Sequence, residues 1–188
     1  MPGMIYNMDM LFDEVFKKCA DSDGNEVRDL NVAQLVNVPT EYSFGEILEH
    51  QQVVMFSVTG AWRQRHKVDD YQANAAVLKG LGVNKIVCHV VDNPWTVSAW
   101  AAWLNVPDID FIADGNGALA RRLGMICDMR VEEMGDRCWQ YSCYIDNGTC
   151  DYWRQEDDFL WDLRDVPHNP DRTMVTTATD MIDWIQSS

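Results

Sequence analysis

The sequence predicts an α/β domain with a mixed central sheet flanked by helices, and three observations carry that prediction. Short apolar, β-branched runs alternate with helical patterns through the middle of the chain, the rhythm of parallel strands joined by crossover helices. An Asp146-Asn147-Gly148 turn between two further strand-like runs predicts an antiparallel hairpin after them. A chain of 188 residues with 47% hydrophobic content is enough for one domain with a full core.

Residues 1–42 read as an N-terminal extension. Ile5, Met8, Leu11, Phe12, Val15 and Phe16 recur at helical spacing, while Asp21-Ser22-Asp23-Gly24-Asn25 is a turn signal that supports a hairpin around 15–28 instead. Both readings stay open. The main domain is expected over 43–188. Ser43 is placed to cap a short helix over 44–49. Val53–Val58 reads as a buried strand and His66–Leu81 as a helix with Tyr71, Ala75 and Leu78 on one face. Lys85–Val91 is the next strand. Asp92-Asn93 can cap the next helix, with Pro94 near its first position, over about 94–104, since proline suits that position. Ile109–Ala113 is a strand and Asn116–Leu123 a helix closed by Gly124.

Trp139–Ile145 and Thr149–Arg154 form the predicted hairpin. With a two-residue Asn147-Gly148 loop, Cys143 faces Tyr152 and lies diagonal to Cys150. On one unbroken strand Cys138 and Cys143 would point to opposite faces. Residues 156–172 are acidic, aromatic and proline-containing, and read as a surface insertion; Thr176–Ile185 is a final helix. This order of elements is that of a thioredoxin-like domain.

The formal net charge of −15 excludes nucleic-acid and anionic-membrane binding through a basic patch. No apolar run approaches the roughly 20 residues that span a bilayer, and the acidic N-terminus reads as neither a secretory signal nor a transit peptide. The six cysteines sit in a long chain without a signal peptide, several of them in apolar strand patterns, so a reducing cytoplasmic or organellar compartment is expected; without C-x-x-C or zinc-site spacing, no metal and no cofactor are expected.

Four segments carry a family resemblance. They are VVMFSVTGAW (53–62), VVDNPWTVSAW (90–100), FIADGNGALARRLGM (111–125) and CWQYSCYIDNG (138–148). In order and spacing they resemble the type-five branch of the peroxiredoxins, within the redoxins, over about residues 43–155. The resemblance implies a peroxiredoxin-type thioredoxin-like fold. It also implies a cysteine thiolate that attacks a peroxide O–O bond, oriented by a threonine three residues earlier and activated by a strand arginine.

The family pattern G-A-F-T-P-T-C corresponds here to Gly60-Ala61-Trp62-Arg63-Gln64-Arg65-His66, and the strand arginine to Gln140. No cysteine lies between Cys19 and Cys88. Arg63, His66 and Gln140 therefore mark a degenerate family site, and no catalytic residue is expected.

Three functions compete. The first is a peroxiredoxin-like protein without catalysis, acting as a structural or interaction subunit with itself or other proteins. Trp62, Trp95, Trp153 and Trp161 are its interface candidates, because tryptophan joins large area to a polar handle. The second is a thiol peroxidase or oxidoreductase using a relocated cysteine such as Cys127, Cys138 or Cys150. The third is an anion-binding or acid–base site built on Arg63, Arg65 and His66 beside a helix N-terminus. Against it stands a solvated loop in which those cations pair with Asp69 and Asp70.

Overall fold

A computed structural model describes residues 15–18, 40–130, 132–156, 173 and 175–188. The elements in chain order are β1 (Val15–Lys18), β2 (Thr40–Ser43), α1 (Phe44–Leu48), β3 (Gln52–Val58), α2 (Arg65–Ala73), α3 (Ala75–Gly80), β4 (Lys85–Val90) and α4 (Pro94–Leu104). They continue as β5 (Ile109–Ala113), α5 (Ala118–Arg122), β6 (Ile126–Met129), β7 (Gly135–Cys138), β8 (Tyr141–Asp146), β9 (Thr149–Gln155) and α6 (Ala178–Ser187).

Seven strands form one mixed sheet in the order β2-β1-β5-β4-β3-β8-β9. β3, β4 and β5 run parallel, as their apolar runs and intervening helices require. β8 pairs antiparallel with β3, and β1 antiparallel with β5. Side-chain alternation along β3 divides the core. Val53 and Met55 face α1, α5 and the β6–β7 hairpin, while Val54, Phe56 and Val58 face α2, α3, α4 and α6. Phe56 stacks on Tyr71 of α2 with ring centroids 4.0 Å apart, so the strand fixes that helix directly.

Local chemistry explains most boundaries. The Asn93 side chain accepts from Thr96 N and Pro94 begins α4, as expected. Thr177 and Asp180 form a reciprocal capping box at α6. Asn147 and Gly148 both have positive φ, the backbone a tight hairpin turn demands.

Four expectations are corrected. The helix over 66–81 is two helices, because Asn74 leaves helical geometry and its amide donates to the Asp70 carbonyl and carboxylate. Val15–Lys18 is a strand whose partner is Thr40–Ser43, and the rest of the proposed N-terminal helix lies outside the described residues. Cys138 and Cys143 belong to different strands, because the chain leaves β7 at Trp139 and Gln140 before starting β8. A bulge between Tyr144 and Ile145 shifts the hairpin register, so Cys143 faces Trp153 instead of Tyr152. The β6–β7 hairpin went unpredicted, since its charged, four-residue strands lack a long alternating pattern.

Candidate functional site

The loop between β3 and α2 is where the sequence places the family's chemistry. Its geometry follows from one residue, Gln64. The buried Gln64 amide oxygen accepts from Thr59 N at 2.7 Å, and its nitrogen donates to Thr59 Oγ1 at 2.9 Å. These two bonds tie the start of the loop to its end and satisfy the buried Thr59 amide and hydroxyl. At the loop tip Trp62 has a φ of 69°, rare for a bulky residue, and is 51% exposed.

Arg63, Arg65 and His66 diverge from this loop. The Arg63 guanidinium reaches the Met134 thioether beside the β6–β7 hairpin. Arg65 pairs with Asp69 at 3.0 Å and lies 4.8 Å from the Trp103 ring. His66 is exposed in the first turn of α2, with Nε2 3.3 Å from Thr173 Oγ1. The described contacts thus point to three separate neighbourhoods and not to one concave pocket.

Beneath the loop lies a residue that sequence reading missed. Lys67, 1% exposed, points inward from α2. Its ammonium donates to Thr176 Oγ1 at 2.6 Å, to the Tyr141 carbonyl at 3.4 Å and to Gln140 Oε1 at 3.5 Å. Thr176 Oγ1 in turn donates to Glu156 Oε1 at 2.7 Å, and the same carboxylate oxygen accepts from Val175 N and Thr176 N. Thr173 Oγ1 donates to Gln140 Oε1 at 2.9 Å.

A hydrogen-bonded line therefore runs from exposed His66 through Thr173, Gln140, Lys67 and Thr176 to buried Glu156. It ties α2, β8 and the end of β9 to the entry of α6. Burial lowers the Lys67 amine from 10.5 to about 7, with the Glu156 charge opposing the shift. The missed signal was positional. Lys67 shares the helical stripe of Tyr71, Ala75 and Leu78, so a lysine there must be buried with partners.

A second polar line crosses the core. His89 lies 2.8 Å from Tyr141 Oη through Nδ1 and 3.2 Å from Asp114 Oδ2 through Nε2, with Cys138 Sγ 3.7 Å from Nδ1. Asp114 also accepts from Ala118 N and Ala120 N at the start of α5. Burial raises the Asp114 carboxyl, but His89 and these amides outweigh it and hold the group below its usual range. Cys138, His89 and Asp114 resemble a thiol–imidazole–carboxylate series. All three are buried, however, and burial pushes the Cys138 thiol well above its ordinary value.

The remaining thiols divide sharply. Burial raises Cys88 and Cys143 and takes Cys127 to about 12, which makes them poor nucleophiles. Cys150 alone among the described thiols is lowered, through a hydrogen bond from Cys143. Among the described residues no cluster of His, Cys, Asp and Glu is arranged to hold a metal ion.

The tryptophan candidates separate by environment. Trp62 and Trp95 are exposed, and Trp103 joins Trp62 at a centroid separation of 5.3 Å. Trp153 is half-buried and stacks on Tyr141 at 4.6 Å. Trp161 lies outside the described residues. No described helix is long and apolar enough to cross a membrane.

Comparison with known proteins agrees with the architecture. The sequence model of the family described as Redoxin matches residues 22–160. A peroxiredoxin of Rhizobium etli is 27% identical over 112 residues, covering 58% of this chain and 63% of that protein. A mitochondrial peroxiredoxin-2F of Oryza sativa subsp. japonica is 31% identical over 108 residues, covering 55% of this chain and 54% of that protein. The chain thus matches between about half and two thirds of the length of these curated relatives. Among solved structures, the 1-Cys peroxiredoxin antioxidant protein of Plasmodium falciparum superposes with a TM-score of 0.76 at 16% identity, covering 100% of both chains. Peroxiredoxin 5 from Alvinella pompejana gives 0.71 at 17% identity, again with 100% of both chains covered. At such identities these structures establish the thioredoxin-like fold alone.

Proposed function

The chain belongs to the redoxin family, and from that premise we propose that it works by binding, as a structural or interaction subunit of a dimer or larger protein assembly, and not by reducing peroxides. The observation that carries this reading is the loop itself. It holds no cysteine, and Gln64 fills it with its own hydrogen bonds to Thr59. The departures at Arg63 and Gln140 support the same reading. A chain that lost only its thiol would keep the orienting hydroxyl and the activating guanidinium. The degenerate positions act here as structure: Gln140 receives Lys67 and Thr173, and His66 meets Thr173.

The surface proposed for binding is the Trp62–Trp103 pair at the loop, with Trp95 exposed at the start of α4. Trp62, Trp95 and Trp103 are each more than half exposed. Tryptophan at such exposure is costly in isolation and characteristic of interface anchors. The left-handed conformation of Trp62 adds support, because strained bulky residues persist where the strain serves a function. The five described cysteines are free, in keeping with a reducing compartment.

Two measurements test the reading. Hydroperoxide consumption with thioredoxin or glutathione as reductant should equal that of a cysteine-free variant; turnover above it sinks the proposal. Sedimentation should show self-association, or co-purification a stable protein partner, lost in a Trp62→Ala, Trp103→Ala double variant. A strict monomer that binds no protein would leave the aromatic group without a role.

A further inference from the structure

We propose that Met134 is a modification site, a thioether that small hydroperoxides convert to the sulfoxide, with the Arg63 guanidinium as the donor that receives the departing oxygen. Two elements assemble the site. Met134 stands just before β7, its amide donating to the Met129 carbonyl at 3.0 Å across the β6–β7 turn. Its side chain crosses to the β3–α2 loop. Arg63 Nη1 donates to Met134 Sδ at 2.8 Å, and the Met134 methyl group lies 3.5 Å from where a Cβ on Gly60 would stand. The sulfur is therefore held against the loop, in contact with a cation.

Two observations single out this sulfur. The first is access. Among the described methionines, Met55, Met125, Met129 and Met181 are buried, and Met134 alone is half-buried. A thioether must touch its oxidant to react, so access ranks these side chains. The described cysteines are worse placed, since all of them are buried. The second observation is the neighbour. A thioether is a weak acceptor, so a small oxygen compound competes readily for the Arg63 N–H. A hydroperoxide that takes this N–H comes to lie beside the sulfur, because Nη1 and Sδ are already in contact.

The chemistry balances in one step. A lone pair of Met134 Sδ attacks the terminal oxygen of the hydroperoxide; the S–O bond forms and the O–O bond breaks. The departing oxygen develops negative charge, which the guanidinium stabilises by donating to it. That oxygen then takes the proton of the transferred hydroxyl and leaves as water or an alcohol. The thioether loses two electrons to the hydroperoxide, and no proton is gained or lost overall. The product keeps the contact, because a sulfoxide oxygen is a stronger acceptor for Arg63 than the thioether was. The inference stands apart from the proposed binding function. That reading fails on catalytic turnover with a thiol reductant. This one concerns a single stoichiometric oxidation, which a cysteine-free variant retains and which only sulfoxide reductases reverse.

The experiment pulses the full chain with hydrogen peroxide and digests it with trypsin, which releases Met134 as the sole methionine of the peptide 131–137. Sulfoxide should form at Met134 ahead of Met55, Met125, Met129 and Met181. Arg63→Ala should slow it by roughly tenfold, the worth of one hydrogen bond from a charged group, and Arg63→Lys should restore part of the rate. Alkylation of Met134 by iodoacetamide, which transfers no oxygen, is the control. Loss of Arg63 uncovers the sulfur and should leave alkylation as fast or faster, whereas a purely structural change would move both reactions the same way. Arg63→Leu replaces Arg63→Ala should that variant not fold. Oxidation of Met134 no faster than that of the four buried methionines overturns the proposal. So does an undiminished oxidation rate without Arg63, or a parallel slowing of oxidation and alkylation.

Discussion

Replacing Lys67 with methionine should remove a specific dependence of stability on pH. The amine is buried and lowered from 10.5 to about 7 in the folded chain. Above about pH 7 the folded protein has released this proton while the unfolded chain still holds it, so stability rises with pH until the unfolded amine also titrates. A full pKa unit corresponds to about 1.4 kcal/mol. Between about pH 7.5 and about pH 8.5 the folded amine passes from largely to almost wholly neutral, and the gain is about 1 kcal/mol.

That window stops short of the thiols and phenols. Cys127, Cys138 and Cys143 are raised from 9.0, and Tyr71 and Tyr141 from 10.0, so each costs stability as pH climbs past its unfolded value. Cys150, lowered, adds a slope of the same sign as Lys67, so the informative quantity is the difference between wild type and Lys67→Met. Urea denaturation at the two pH values should move the wild-type midpoint up by about 0.5 M relative to the variant, for a slope of about 2 kcal/mol per molar. Parallel pH dependences would refute the burial argument.

Three further outcomes follow from the same contacts. Gln64→Ala should lower stability by about 1–3 kcal/mol in thermal or urea unfolding, because it strands the buried Thr59 amide and hydroxyl; an unchanged melting temperature would mean the loop is not held by Gln64. Trp62→Gly should relieve the left-handed backbone and stabilise the isolated chain by about 1 kcal/mol while weakening association, read by calorimetry and sedimentation together. His66→Cys should give a readily alkylated surface thiol without hydroperoxide turnover; turnover from this one change would show that the departures at Arg63 and Gln140 are inconsequential.

The parts of the fold legible in the sequence were those with strong local chemistry. Val53–Val58 and Lys85–Val91 are buried on both faces, so they read as continuous β-branched runs. Asn93-Pro94 and Asn147-Gly148 fix backbone angles by themselves. What escaped was set by distant partners. The register of β9 depends on a bulge that no turn rule contains, and Asn74 breaks a helix whose apolar stripe continues through it. The β6–β7 hairpin is short, charged and dependent on its packing against α5.

The candidate site divides the same way. That no cysteine lies between Cys19 and Cys88 was visible at once, because absence from a sequence interval needs no coordinates. Lys67 was not, although it sits on the stripe of Tyr71 and Ala75. Its partners Thr176 and Glu156 lie roughly a hundred residues downstream, and only folding brings them together.

The hairpin bulge also bears on how copies of this protein meet. Among the described residues β9 is an edge strand with β8 on one side only, an arrangement that invites a further strand to continue the sheet. The bulge at Asp151 interrupts the even spacing of amides and carbonyls that such a strand would need, and Asp151 and Arg154 stand exposed along it. Backbone-to-backbone growth from this edge is therefore blocked. The bulge thus guards one edge of the sheet, and β2 forms the other edge among the described residues.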